Sequence, residues 1–184
     1  MDGCVPFFDL RRRHHPHRNA MVDRLEGIVT GGAYFDGPEV AELERELREW
    51  LRLPNCVAVG SGLTAIEMAL NLLGIECGDE IITPALTSPI VAQTIARSGA
   101  TLKFADVDPV TFQLCPQSTA AAINPRTRGL YVPNFFGVPC LGNALDALCQ
   151  RAGIPWIDDA TEGLGASLNQ LVCECLTRTP LGRL

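Results

Sequence analysis

Histidine and lysine are scarce in this sequence, and their positions exclude several kinds of active site. All three histidines, His14, His15 and His17, lie near the start of the chain. A Ser-His or Cys-His nucleophilic pair in the rest of the chain is therefore excluded, because each needs an imidazole as its base. Among the 15 basic residues only Lys103 is a lysine, so chemistry that requires a lysine amine has a single candidate.

The sequence also lacks the patterns of membrane, secreted and metal-binding proteins. No apolar run approaches the length of a membrane span, and no signal-peptide pattern follows Met1. The eight cysteines show no CxxC spacing, which argues against a zinc site. The net charge of −6 disfavours nucleic acid and anionic membranes as partners. We therefore expect a cytoplasmic protein with reduced thiols, no bound metal, and neither nucleic acid nor membrane as partner.

The first 54 residues predict helices of two kinds. The basic cluster at residues 11–18 is typical of a solvated helix face, which Pro16 should interrupt because proline cannot donate a backbone hydrogen bond. Residues 37–54 predict an amphipathic helix, since apolar residues recur at helical spacing. This stripe consists of Val40, Leu43, Leu47 and Trp50.

Strands and helices alternate through the remainder of the 184-residue chain, of which 47% is hydrophobic. Short turns join them, an order typical of a parallel α/β sheet covered on both faces by helices. The predicted strands are residues 56–59, 80–83, 101–107, 129–133 and 155–158.

Gly60-Ser61-Gly62 follows the first predicted strand and opens a helix. Backbone N–H groups at such a turn can hold a phosphate against the positive end of the helix, although tight turns favour glycine for other reasons too. With Ala65 the turn also spells G-x-G-x-x-A, as in dinucleotide-binding proteins. That alternative is weakened because no acid follows the second predicted strand to hold a ribose.

Asp158 and Asp159 follow the last predicted strand. Paired aspartates are common in exposed turns, but a carboxylate at the carboxyl end of a strand can also face a cation in the ligand cleft. The protonated pyridine nitrogen of pyridoxal phosphate is one such cation, and this cofactor needs a nearby acid to work as an electron sink. A phosphate-binding turn and an acid would hold its two ends.

Several stretches resemble the PLP-dependent nucleotide-sugar aminotransferases of the DegT/DnrJ/StrS group, which have aminotransferase fold type I. Their order and spacing match over about residues 5–168. The matching stretches are PFFDL (6–10), GPEV (37–40), SGLTAIEMAL (61–70), GDEIITPALTS (78–88), GATLKFADVDPVTF (99–112), INPRTRGLYVPNFFGVP (123–139) and GIPWIDDATEGLGA (153–166).

The resemblance implies an α-β-α sandwich with a mainly parallel sheet, pyridoxal phosphate as cofactor, and a set of cofactor-binding residues. It places Gly62 and the amide of residue 63 at the phosphate, Asp159 at the pyridine nitrogen, and Glu162 near the phenolic oxygen, with Asp158 supporting the turn. The implied cofactor-binding residues are Ser61, Gly62, Leu63, Thr87, Ser88, Asp159 and Glu162.

Three residues depart from the pattern that this resemblance implies. Leu63 stands where threonine is usual, which removes a hydroxyl ligand of the phosphate. Ser88 replaces the usual aromatic residue that stacks on the cofactor, and Asn134 stands where histidine is common. The resemblance thus predicts a cofactor site that lacks some of its usual contacts.

The resemblance implies transfer of an amino group from glutamate to a keto-sugar nucleotide, at the interface of a homodimer. It stops near Leu168, before the serine-phenylalanine segment with the family's Schiff-base lysine, and Lys103 matches no catalytic position. We therefore expect no catalytic residue in this chain, which would be C-terminally truncated and inactive alone. The expected domains are an N-terminal segment (1–35), a partial large domain (36–168) and a divergent tail (169–184).

Two further hypotheses remain open on the sequence. The chain could be a non-catalytic remnant that dimerises with an intact relative or binds a phosphate ligand. A Rossmann-type nucleotide binder is the less favoured one. Residues 170–177 could also form an ordinary terminal helix of a short protein, instead of marking a frameshift or premature stop.

Overall fold

The computed structural model describes residues 5–35, 37–140, 143–168, 171–172 and 176–178. The chain divides into two units, Met1–Glu46 and Leu47–Leu184. The domain boundaries expected at residues 36 and 169 stay predictions.

The N-terminal unit is built from helices. Helix α1 (Leu10–His14) is capped by Asp9, whose carboxylate accepts from the backbone N–H of Arg12 at 3.1 Å. A 3-10 turn (His15–His17) separates α1 from α2 (Arg18–Gly31), which confirms that Pro16 interrupts the helix.

Helix α3 (Pro38–Leu51) confirms the amphipathic helix predicted from residue 37 onward. Its predicted apolar stripe is not buried, because Val40, Leu43 and Trp50 are 47%, 49% and 62% exposed. The periodicity therefore predicted the helix correctly, while the burial of its apolar face did not follow.

A sheet of five strands forms the centre of the second unit. The strands are β1 (Glu80–Pro84), β2 (Thr101–Ala105), β3 (Thr127–Pro133), β4 (Trp156–Asp159) and β7 (Leu176–Arg178). Their order is β2-β1-β3-β4-β7; the first four strands are parallel and β7 is antiparallel to β4. Two short strands, β5 (Ser167–Leu168) and β6 (Leu171–Val172), pair with each other.

Helices cover both faces of this sheet, as the alternating pattern predicted. On one face, Ile81 and Tyr131 pack with residues of α4 (Gly62–Leu72) and α5 (Pro89–Arg97). On the other, Ile82 and Leu130 pack with residues of α6 (Pro116–Ala122) and α7 (Asn143–Ala152). The predicted α-β-α sandwich with a mainly parallel sheet is thereby confirmed.

Residues 56–59 were predicted to form the first strand, and this prediction is wrong. The structure has no strand there, and the side chains of Val57 and Val59 are 69% and 37% exposed. Local β-propensity does not make a strand by itself, because strands are stabilised by side-chain packing and pairing within a sheet.

The segment predicted as an alternative terminal helix is extended where the structure describes it. Residues 171–172 and 176–178 belong to β6 and β7, while residues 170 and 173–175 lie outside the described residues. None of the helices in the described ranges is long and apolar enough to cross a membrane.

A buried carboxylate, Glu80, lies at the amino ends of the strands, where it begins β1. It is 4% exposed and accepts from the side-chain amide of Asn124 at 2.7 Å. Arg126 and Lys103 form ion pairs with it at 2.7 and 3.5 Å. The Asn124 hydrogen bond, followed by the two cations, lowers the pKa of Glu80 below its ordinary value of 4.5, against the opposing effect of burial.

We expect Leu130→Ala to lower the free energy of unfolding by about 2–5 kcal/mol, because it opens a cavity in the sheet core. The matched Leu72→Ala, at a side chain that is 65% exposed, should change it by no more than about 0.5 kcal/mol. Urea unfolding followed by circular dichroism measures both. Equal losses in the two variants would contradict the described core.

The stability that Glu80 contributes should depend on pH. Because the pKa of Glu80 is lowered by folding, its contribution is full above about 4.5 and is lost as the pH falls through the folded-state value. Urea unfolding of the wild type and Glu80→Gln between neutral and acidic pH should show a difference that shrinks in acid. Glu76→Gln, at an exposed carboxylate, is the control and should show no such convergence.

Candidate functional site

A cleft of about 360 Å³ opens at the carboxyl ends of β1, β3 and β4. This is the edge at which ligands bind in α/β proteins. The cleft brings together the whole set of sequence-predicted residues, Ser61, Gly62, Leu63, Thr87, Ser88, Asp159 and Glu162. The other lining residues are Ile66, Ile90, Val91, Pro133, Asn134, Phe135 and Thr161.

The N-terminus of α4 forms one wall of the cleft. Ser61 caps the helix: its hydroxyl accepts from the backbone N–H of Thr64 at 3.1 Å. The first amides of a helix have no acceptor within the helix, and Gly62 and Leu63 occupy these positions beside the cleft. Such amides, at the positive end of the helix dipole, can bind an anion.

Thr87 and Ser88 lie between β1 and α5. Ser88 is the N-cap residue of α5, and its side chain makes no capping hydrogen bond. The hydroxyl oxygen of Thr87 is buried and has no hydrogen-bond partner among the residues that the structure describes. Because buried polar groups are nearly always satisfied, the Thr87 hydroxyl is suited to a polar group of a ligand in the cleft.

The two aspartates at the end of β4 have different environments. Asp158 is fully buried, and its Oδ1 accepts from the side-chain amide of Asn134 at 2.5 Å. Asp159 is partly exposed and lines the cleft. Only Asp159 is therefore placed to meet a ligand, whereas Asp158 supports the end of the strand.

Asn134 connects the ends of β3 and β4. It is 2% exposed, and its backbone and side-chain N–H groups both donate to the carbonyl of Asp159, at 3.0 and 2.9 Å. Its Oδ1 accepts from the backbone N–H of Cys140 at 2.6 Å. Asn134 therefore fixes the floor of the cleft at the position where the resemblance predicts histidine.

The thiol of Cys140 is not a nucleophile at neutral pH. Burial, with a smaller contribution from the charge of Asp158, raises its pKa to about 11. Since the thiolate is the reactive form of cysteine, the raised pKa disfavours covalent chemistry, and the Cys140 side chain packs in the hydrophobic core.

Glu162 makes a contact that the sequence did not predict. Its carboxylate accepts from the backbone N–H of Phe136 at 2.7 Å, and thus holds the 3-10 turn Phe135–Gly137 at the rim of the cleft. The phenolic-oxygen role that the resemblance implies for Glu162 stays a prediction.

Lys103 lies within β2, and its ammonium pairs with Glu80 at the amino ends of the strands. The cleft is at the carboxyl ends of the strands. Among the described residues that line the cleft, none is a lysine, arginine or histidine. The cleft therefore presents carboxylates and helix N–H groups, an arrangement that suits a ligand with an anionic end and a cationic end.

Two further polar residues contact Asp159, and neither was predicted from the sequence. Tyr131 donates a hydrogen bond from its hydroxyl to Asp159 Oδ2. Thr161 donates to Asp159 Oδ1 from its backbone N–H at 3.0 Å and from its hydroxyl at 2.5 Å. The alternation within β3 could have placed Tyr131 on the face of Ile157, but the pairing register of β3 with β4 was unknown.

Comparison with known proteins gives the same assignment over most of the chain. Residues 17–178 match the DegT/DnrJ/EryC1/StrS aminotransferase family. A curated relative from Pseudomonas aeruginosa, UDP-2-acetamido-2-deoxy-3-oxo-D-glucuronate aminotransferase, is 34% identical over 163 residues. The match covers 89% of this chain and 45% of that protein, so the chain spans less than half the length of this relative.

Two solved structures share the fold. DesV of S. venezuelae, in complex with a ketimine intermediate, superimposes with a TM-score of 0.82 at 32% identity, over 86% of this chain and 43% of DesV. NtdA of Bacillus subtilis, with bound cofactor PMP, superimposes with a TM-score of 0.84 at 26% identity, over 90% of this chain and 38% of NtdA. The chain belongs to the DegT/DnrJ/EryC1/StrS aminotransferase family.

Proposed function

We propose that this chain forms the cofactor-holding part of an aminotransferase that acts on keto-sugar nucleotides, and that it does not complete transamination by itself. The observation that supports this most directly is the cleft itself. It joins the unpaired amides at the start of α4 to the carboxylate of Asp159. Those two groups match the anionic phosphate and the cationic pyridine nitrogen of pyridoxal phosphate.

The residues of the cleft fit this cofactor at several points. Gly62 and Leu63 would bind the phosphate through their backbone N–H groups. The buried Thr87 hydroxyl, which has no partner within the described parts of the chain, would gain one from the ligand. Apolar side chains, including Ile66 and Val91, line the space between the two ends and would exclude water from the ring.

When bound, the cofactor supplies an electron sink for reactions at an amine carbon. The contribution of Asp159 is to hold a proton at the pyridine nitrogen by a charge-assisted hydrogen bond. The helix N-terminus orients the other end of the molecule. These residues bind and orient, and no described side chain in the cleft supplies an amine.

The proposed substrates are a keto-sugar nucleotide and glutamate, with a homodimer as the assembly. The sugar substrate is supported by the family and by the P. aeruginosa relative, whose name gives a UDP-linked 3-oxo sugar acid. Glutamate and the homodimer are implied by the family resemblance alone. None of the described residues that line the cleft is a lysine. Lys103 lies elsewhere, in an ion pair with Glu80. Turnover would therefore need an amine that Lys103, the single lysine of this sequence, does not supply.

The structure gives the Rossmann-type alternative little support. The dinucleotide-binding turn requires a strand directly before its first glycine. Residues 56–59 form no strand, so Gly60, Gly62 and Ala65 do not lie in that context. A remnant that binds only phosphate is a sharper rival, and it is distinguished by the role of Asp159.

We expect Asp159→Asn to weaken the binding of pyridoxamine phosphate about 10- to 100-fold, because a charge-assisted hydrogen bond is worth about 1.5–3 kcal/mol. Isothermal titration calorimetry measures the affinity. Asp23→Asn, at an exposed carboxylate of α2, is the matched control and should bind as the wild type does. If Asp159→Asn also binds normally and inorganic phosphate competes fully, the site recognises phosphate alone.

Lys103 should not form a stoichiometric adduct with pyridoxal phosphate. Its ammonium forms an ion pair with Glu80 at the amino ends of the strands, whereas the cleft is at their carboxyl ends. Borohydride treatment followed by peptide mass spectrometry tests this, and Lys103→Arg should bind pyridoxamine phosphate with wild-type affinity. Complete labelling of Lys103 together with transaminase turnover would overturn the proposal that the chain is incompetent alone.

A further inference from the structure

Both oxygens of the Asp159 carboxylate are held by donors of the protein. Tyr131 donates to Oδ2 from its hydroxyl. Thr161 donates to Oδ1 twice, from its backbone N–H at 3.0 Å and its hydroxyl at 2.5 Å. Because separate donors engage the two oxygens, the carboxylate cannot rotate about its terminal bond without breaking a hydrogen bond.

The backbone that carries this carboxylate is fixed as well. The carbonyl of Asp159 accepts from the backbone and the side chain of Asn134, at 3.0 and 2.9 Å. In the ladder between β3 and β4, Pro133 is the partner of Asp159, and Tyr131 is the partner of Ile157. Tyr131 is thus a diagonal neighbour of Asp159 on the same face of the sheet, within reach of a long side chain.

Tyr131 is a rigid donor. Its side chain is fully buried in the cluster that contains Ile81, Val91 and Ile157. A buried ring in a close-packed core has little freedom to move, so its hydroxyl is presented to Asp159 from a fixed position. Thr161 is exposed and lines the cleft.

The carboxylate retains the capacity to bind a ligand. An ionised carboxylate has about four acceptor sites, and the three donors from Tyr131 and Thr161 use three of them. Asp159 is partly exposed and lines the cleft, so the remaining capacity is accessible. A carboxylate acceptor that is oriented in advance binds its ligand without the cost of ordering the side chain.

We propose that Tyr131 and Thr161 are positioning residues that fix the orientation of the Asp159 carboxylate toward the ring nitrogen of the cofactor. The inference rests on the proposed function, because it assigns Asp159 to that nitrogen. In this role Tyr131 and Thr161 act through Asp159.

The test is titration of the full chain with pyridoxamine phosphate. Tyr131→Phe removes only the hydroxyl, and we expect it to weaken binding about 10-fold. Tyr34→Phe changes the chain's other tyrosine, an exposed residue of the N-terminal unit, and should leave the affinity unchanged. Thr161→Val should weaken binding by a similar factor, whereas Thr161→Ser, which keeps the hydroxyl, should restore it.

A purely structural role is separated from a positioning role by two further readouts. In the Asp159→Asn background, Tyr131→Phe and Thr161→Val should each change the affinity by less than about 2-fold, because their effect passes through the carboxylate. The absorbance of the bound ligand reports protonation of its ring nitrogen. In each single variant the midpoint of this transition should move to lower pH by about one unit, which corresponds to the expected 10-fold loss.

The possible outcomes have different consequences. If Asp159→Asn binds weakly while Tyr131→Phe and Thr161→Val bind normally, the positioning inference is overturned and the proposed function stands. If the wild type does not bind pyridoxamine phosphate, the proposed function fails and the inference fails with it. Should Tyr131→Phe not fold, as judged by circular dichroism, the two exposed-site variants of Thr161 decide the question.

Discussion

Burial of the central strands on both faces determines where charged groups can lie in this molecule. Neighbouring residues of β1, Ile81 and Ile82, are both completely buried, one against each helical layer. A charge inside such a sheet would need partners to offset its loss of hydration. The charges at the two ends of the strands are accommodated differently. At the amino ends, Glu80 forms ion pairs with cations. At the carboxyl ends, Asp159 faces the cleft.

The alternation of strand-like and helix-like segments predicted the four parallel strands. These strands are stabilised by burial of apolar side chains, and a run of apolar residues is visible in the local sequence. The failure at residues 56–59 has the same cause. The segment has the composition of a strand, but Val57 is 69% exposed and the sheet has no strand at this position. Composition measures the tendency to be buried and cannot show whether a neighbouring surface exists.

Some features of the candidate site were predicted from the sequence and others were not. The cofactor role that the resemblance implies for Asp159 stays a prediction; the structure shows that Asp158 is bonded to Asn134 and that Asp159 lines the cleft. The contacts of Tyr131 and Thr161 with Asp159 could not be predicted, because a strand register cannot be read from either strand alone. The engagement of Glu162 with the backbone of Phe136 likewise depends on how a turn folds back.

The hydrogen bonds of Asn134 restrict which residue can replace it. Its side chain uses both kinds of hydrogen-bonding group: the amide donates to Asp158 and to the carbonyl of Asp159, and the oxygen accepts from Cys140. A neutral histidine, the residue that the resemblance suggests is common here, offers one donor and one acceptor. A neutral histidine at this position would therefore leave at least one of the groups that Asn134 connects without its present partner.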